Sequence, residues 1–266
     1  MNPPQPHTVT FVTGYFNIYD TEYDESRTFE KRLCHFLRIA KSGIPICVVI
    51  ENTFEDKLKV ALTKENCFNV QIIDVLDKNQ IPFLSEEEKQ YGLPDIRNVQ
   101  KDTHRYMALM NSKIDFVKRA IDKNPFSTKY FCWFDFSLAY VFRNVETTIQ
   151  HIDSLACQPN YIHSFIAMPG CWSWKINKMD DICKKICWRF CGGFFMGDKD
   201  SLLDFYHTSV NHYNDFVVQT NVVVWEVNYW AWLESYTNSF HPLWYLAGHD
   251  DSIIHVPLDN ITLKTE

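Results

Sequence analysis

The chain has 266 residues, 46% hydrophobic and 22% charged, with a net charge of −7. This length suits one large domain or two small ones with a sizeable core. The acidic balance excludes the clustered Lys and Arg field of a nucleic-acid-binding protein, and no apolar run is long enough to span a membrane.

After the Pro-rich start "MNPPQPHTVT", Val9 to Tyr15 reads as a first strand. A polar stretch, "YDTEYDES", reads as a loop before a helix from about Arg27 to Lys41. Phe29, Leu33, Phe36, Leu37 and Ala40 recur there at helical spacing, and "SGIP" stops the helix. "ICVVIE" is a continuously apolar strand of the kind buried on both faces of a parallel sheet. A helical segment and the strand "NVQIIDV" follow, so the first eighty or so residues alternate β-α-β-α-β, the signature of a parallel α/β sheet. From Leu76 to Gln100 the chain is polar, and its acidic run "SEEEKQ" reads as solvated.

Met107, Met110, Ile114, Val117 and Ile121 predict one amphipathic helix. The stretch "KYFCWFDFSLAYVF" then predicts a core strand, with Asp135 in its middle. An ionised carboxylate is costly to bury unpaired, so either the strand ends there or the acid has a buried partner. "YIHSFIAMPG" predicts another strand. "CGGFFMGDKDSLLDFYHTSV" predicts a strand, a turn at "GDKD" and a helix, and "NVVVWEVNYWAWLE" a strand running into a helix. No repeat or linker interrupts the chain. Residues 8–266 are expected to form one domain behind a flexible tail, residues 1–7. The expected class is α/β, with a mostly parallel, Rossmann-like sheet flanked by helices.

Ligands of open parallel sheets bind beyond the carboxyl ends of the strands. Polar groups at such ends are Thr13-Gly14-Tyr15, Glu51-Asn52, and Asp135 with Ser137. Gly14 would let a ligand approach the backbone, and Tyr15 or Phe16 could stack on a base, though an ordinary strand-to-loop turn explains the spacing equally simply. Asp-X-polar after a bulky strand suits a hard cation such as Mg²⁺ or Mn²⁺ bridging phosphates, or an acid capping a turn. "WYLAGHDDS" adds His249, Asp250 and Asp251, a metal set or a surface turn. Trp225, Glu226 and Asn228 lie among further Trp and Tyr, a pattern of sugar pockets or of a helix with a polar face. Cys183, Cys187 and Cys191 recur at every fourth residue without zinc-type spacing, and read as buried helical cysteines. Nine scattered Cys and no export signal point to a reduced, cytoplasmic compartment. Aromatic residues at 15%, with 8 Trp, exceed what a core alone absorbs and imply that some line a cleft or an interface.

In their order along the chain, "VTFVTGYFNI", "HRYMALMNSKIDFVKRAI", "YFCWFDFSL", "RFCGGFFMGDKDSLLDFYH", "TNVVVWEVNYWAW" and "PLWYLAGHDDSII" resemble the HtrL/YibB family, which looks like a branch of the GT-A glycosyltransferases. The match runs from about Thr8 to Ile254. The resemblance implies a nucleoside diphosphate sugar in the cleft, a glycan or other hydroxyl acceptor, and a Mn²⁺ or Mg²⁺ cofactor. It assigns Thr13, Gly14, Tyr15 and Phe16 to the nucleotide, and Asp135 with His249 or Asp250 to the metal. Gly192 and Gly193 would line the donor sugar, and Glu226 would be the acceptor-side acid, a general base if the reaction inverts, with Asp135 the other catalytic residue. The third position of the metal motif is Ser137 instead of an acid, which leaves the metal requirement open. Arg105 and Lys113 could reach phosphates, or be solvated helix residues, the simpler reading. Two rivals stand beside a sugar transferase: a nucleotide- or glycan-binding protein on a degenerate fold, and a nucleotidyltransferase on a related sheet.

Overall fold

The computed structural model describes residues 6–19, 28–84, 90–158, 161, 164–176, 178–237 and 239–261. Most of the expected tail, the polar loop and the helix start at Arg27, and nearly all of the acidic run lie outside the described residues. The alternation foreseen for the first third is present: β1 (Val9–Tyr15), α1 (Phe29–Ala40), β2 (Ile46–Glu51), α2 (Glu55–Lys64) and β3 (Val70–Leu76). Then come α3 (His104–Asn111), α4 (Lys113–Lys123), β4 (Tyr130–Phe134), α5 (Val145–Cys157), β5 (Ile166–Gly170), α6 (Met179–Lys184) and β6 (Phe194–Asp198). The chain continues through α7 (Lys199–Thr220), α8 (Glu226–Tyr236), β7 (Leu243–Leu246) and the short α9 (Leu258–Ile261).

The strands form one seven-stranded sheet in the order β3-β2-β1-β4-β6-β5-β7. Only β6 runs against its neighbours, β4 and β5; the other pairings are parallel. Every residue of β2 is buried, as a central parallel strand requires. Side chains alternate between two cores. Phe11 and Tyr15 of β1 and Cys132 and Phe134 of β4 join the core under α1 and α5. Val12 of β1 and Phe131 and Trp133 of β4 join the core under α4, α7 and α8. Gly14 is needed for the second layer, because a Cβ there would stand 3.0 Å from the Phe116 ring of α4. Among the described residues no helix is long and apolar enough to cross a membrane.

Four local expectations are corrected. The stripe from Met107 to Ile121 is two helices, broken at Ser112, whose hydroxyl turns to the backbone oxygens of Ala108 (2.7 Å) and Pro82 (2.5 Å). No separate turn precedes α7: Asp198 caps it directly, accepting from Asp200 N and Ser201 N at 3.0 Å each. The stretch before α8 is not a ladder strand but makes a single bridge, Val222 to Gly92. Of the three spaced cysteines only Cys183 is helical; Cys187 and Cys191 are buried in the irregular segment before β6.

Candidate active site

The strand carrying the central carboxylate stops one residue short of it. Phe134 is the last residue of β4, and Leu138 N donates to Asp135 O at 2.7 Å as the chain turns into the 3-10 segment Leu138–Val141. Asp135 N is held by Gly193 O at 3.0 Å. Alternation along β4 puts Asp135 on the face of Trp133, toward α4, and the Trp133 indole N–H donates to Asp135 Oδ1 at 3.0 Å.

Both answers to the buried-charge question hold at once, because the acid also has a buried partner. Lys113 opens α4, and its Nζ lies 3.0 Å from Asp135 Oδ1, 2.8 Å from Glu226 Oε1 and 2.9 Å from Gly192 O. Three acceptors match the three N–H donors of an ammonium. Lys113 is therefore no solvated helix residue: its side chain is 2% exposed, against 6% for Glu226 and 42% for Asp135. Burial is the largest influence on its pKa and opposes the charge. Asp135 and Glu226 outweigh it and hold the pKa above the ordinary lysine value. The neighbouring Tyr106 hydroxyl is pushed far above its ordinary value by burial and then by the charges of Glu226 and Asp135.

Gly192 makes room for this cluster. A Cβ there would fall 2.0 Å from Glu226 Oε1, whereas one at Gly193 would meet the tip of Ile253 at 3.1 Å and stand in ordinary contact with Leu138 at 3.5 Å and Asp135 Oδ2 at 3.6 Å. Glu226 is the first residue of α8, directly after Trp225, which is 3% exposed.

A two-lobed cleft opens on the cluster. Tyr106, Met110, Lys113, Asp135, Ser137 and Tyr140 line both lobes. One lobe adds Gly192, Gly193, Trp188, Trp225, Glu226 and His249; the other adds Gly14, Tyr15, Phe16, Arg32 and His35. The structure thus brings together most of the residues singled out from the sequence, but not all. Thr13 is fully buried in β1. The Tyr15 ring packs against Phe29, Phe54 and Phe136 at 5.0–5.1 Å between centroids, and Phe16 stacks on Phe116 at 5.6 Å. Both residues are 5% exposed, so little of either ring is open to the cleft. Arg105 points elsewhere, to Asn79 Oδ1 at 3.3 Å. Asn228 is fully buried and binds Cys187 N, Ile182 O and Lys185 O. Asp250 caps the turn Asp251–Ile254 through Ser252 and pairs with Arg143 at 2.7 Å. Sequence reasoning missed Tyr106 and the Trp133 indole; Tyr106 lies seven residues before Lys113, on α3 ahead of the break at Ser112.

The donor set does not suit a hard cation. The position beside Asp135 Oδ1 is taken by the Lys113 ammonium, and the same ammonium holds Glu226. Among the described residues no trio of His, Cys, Asp or Glu ligand atoms gathers around Asp135; His249 instead groups with Cys171 and Cys191.

A mixed α/β sheet with an ammonium-bridged pair of carboxylates at the carboxyl ends of its parallel strands defines the class. Residues 7–228 match the family described as "Bacterial protein of unknown function (HtrL_YibB)", and the chain belongs to that family. No curated protein matches it. Among solved structures it is similar to a glycosyltransferase involved in the glycosylation of the major capsid of PBCV-1, at 13% identity and TM-score 0.40, covering 90% of this chain and 80% of that one. It is also similar to mouse xyloside xylosyltransferase 1, at 9% identity and TM-score 0.42, covering 91% and 85%. A third similar structure is 4-diphosphocytidyl-2C-methyl-D-erythritol synthase from Anaerococcus prevotii, at 12% identity and TM-score 0.34, covering 84% and 88%.

Proposed function

We propose that the protein is a glycosyltransferase that moves a sugar from a nucleoside diphosphate donor to a hydroxyl of a glycan or similar acceptor. The observation that carries this reading is the Lys113 ammonium joining Asp135 and Glu226 in an aromatic-lined cleft. The acceptor oxygen forms a bond to the anomeric carbon. The carbon–phosphate oxygen bond breaks, and the diphosphate leaves with the electron pair. Glu226 takes the acceptor proton. The exposed edge of Asp135 orders the ribose hydroxyls, and the rings of Tyr106 and Trp188 bear on the sugar faces. Arg32 and Lys101, which line opposite lobes, are cations that the diphosphate meets.

A nucleotide-binding protein without turnover is the second reading, favoured by one observation: each carboxylate already gives an oxygen to Lys113. Thermal unfolding with a panel of nucleotides and nucleotide-sugars, with Mn²⁺, Mg²⁺ or EDTA, tests both. Ligand at a hundredfold over Kd stabilises by about 2.7 kcal/mol. A shift selective for one nucleoside diphosphate, surviving EDTA and accompanied by donor consumption, is the expected result. A shift without consumption selects the binding protein, and no shift with any nucleotide removes both. Asp135→Asn is expected to abolish turnover and, because Lys113 loses one charged partner, to lower the unfolding midpoint while the fold stays intact by circular dichroism; wild-type turnover in that variant would sink the assignment.

A further inference from the structure

Cys171 follows β5 directly, His249 lies three residues beyond β7, and Cys191 lies three residues before β6. The sheet brings them together. β5 and β7 pair in parallel with Gly170 opposite Leu246, and Ala247 N donates to Gly170 O at 2.9 Å. The segment carrying Cys191 is drawn over β5 by Cys191 N to Pro169 O, 2.7 Å, and by Cys171 N to Trp188 O, 2.9 Å. Gly170 permits that crossing, since a Cβ there would stand 1.9 Å from Arg189 O.

The three ligand atoms lie within 4.8 Å of one another. Cys171 Sγ is 3.5 Å from Cys191 Sγ and 3.9 Å from His249 Nε2. Zinc bonds of about 2.3 Å to sulfur and 2.0–2.1 Å to nitrogen, at tetrahedral angles, set sulfurs about 3.8 Å apart and sulfur and nitrogen about 3.6 Å apart. The two spacings that involve Cys171 lie within about 0.3 Å of these values, and the third pair lies within 4.8 Å. A disulfide would need the sulfurs at about 2.05 Å, and both cysteines are free. The Trp188 ring stands edge-on to the His249 imidazole, 4.3 Å between centroids, and steadies it.

We propose that Cys171, Cys191 and His249 form a site for a soft divalent ion of the zinc class. Sulfur donors exclude Mg²⁺ and favour zinc. Cys191 and His249 line the cleft, so the fourth position is filled from that side by water or a ligand atom. The site is separate from the Lys113 cluster, and the assignment stands whether or not the cleft transfers a sugar. It also gives His249 a partner set different from the Asp135 set expected from the sequence.

The test is reconstitution of the full chain under reducing conditions with Zn²⁺ or Co²⁺. The expected result is one zinc per chain, X-ray absorption showing two sulfur neighbours and a histidine nitrogen, and a tetrahedral cobalt spectrum with thiolate-to-cobalt charge transfer. Cys171→Ser and His249→Ala, neither of them buried, lose the cobalt bands while keeping the wild-type circular dichroism. Cys157→Ser, in the other possible ligand group with His7 and Asp153, keeps the bands. No bound zinc, a site without sulfur in the wild-type absorption spectrum, bands that vanish in Cys157→Ser, or a Cys171–Cys191 disulfide in peptide mass spectra of the freshly reduced protein would overturn the assignment.

Discussion

Lys113 is where residue-level physics is concentrated. An ammonium with 2% exposure is tolerable only with every donor used, and each of its three acceptors comes from a different part of the chain: the end of β4, the start of α8 and the loop at Gly192. Its place was partly legible. Lys113 stands three residues after Met110 and four before Val117, which puts it on the apolar stripe that builds the core face. Its partners were not legible, because Asp135 and Glu226 are 22 and 113 residues away from it. Gly192 gives a sharp residue-scale prediction. Gly192→Ala would push Glu226 away by steric overlap, and a displacement of about 1 Å at a reacting group costs on the order of a hundredfold in rate. Gly193→Ala, whose Cβ would press on the flexible end of Ile253 at 3.1 Å and stand in ordinary contact with Asp135 Oδ2 at 3.6 Å, is expected to lose far less. Equal losses in steady-state turnover for the two variants would argue against Glu226 as the acceptor-side group.

Among the elements, α8 departs most from its surface pattern. Glu226, Asn228 and Glu234 resemble the polar face of an exposed helix, yet all three are buried. Each has a distant partner. Glu226 has Lys113, Glu234 forms a two-pronged pair with Arg189 at 2.6 and 2.7 Å, and Asn228 ties down the backbone at Ile182, Lys185 and Cys187. Periodicity reports polarity, not whether a polar side chain finds a partner inside, so sequence alone could not tell a sugar-binding face from a buried network. Asn228→Ala would strand buried backbone groups at about 1–3 kcal/mol each. A lowered midpoint in chemical denaturation with unchanged nucleotide affinity is expected. Unchanged stability with weakened donor affinity would instead place Asn228 at the substrate.

For the whole molecule, charge balance sets the response to acid. His35 and His151 have pKa values below the ordinary histidine value, chiefly because burial disfavours the charged ring. Arg38 adds to this at His35, and His255 adds to it at His151. The unfolded chain titrates these rings near 6.5 and takes up more protons than the native state below that pH. Their stabilising effect is complete above about pH 6.5 and is lost as pH falls through it toward the native values. Lys113, raised above 10.5, contributes unchanged across this window. The contribution of Asp250, whose carboxyl is lowered mainly by Ser252, is lost only as pH falls through 3.8. Thermal midpoints should therefore drop between about pH 7.5 and 5.5, and His151→Gln should flatten the drop; a midpoint that rises toward pH 5.5 would contradict this.

The sequence by itself determined the alternation of strands and helices in the first third and the doubly buried β2, because apolar periodicity and local turn chemistry are short-range properties, and the order of its segments carried the resemblance to the family. Only the tertiary structure decided which polar residues meet. Lys113, Asp135 and Glu226 converge, Arg105 turns away, Asn228 goes inside, and His249 joins two cysteines. Those pairings depend on strand order and helix crossing, which place residues far apart in the chain within one hydrogen bond of each other.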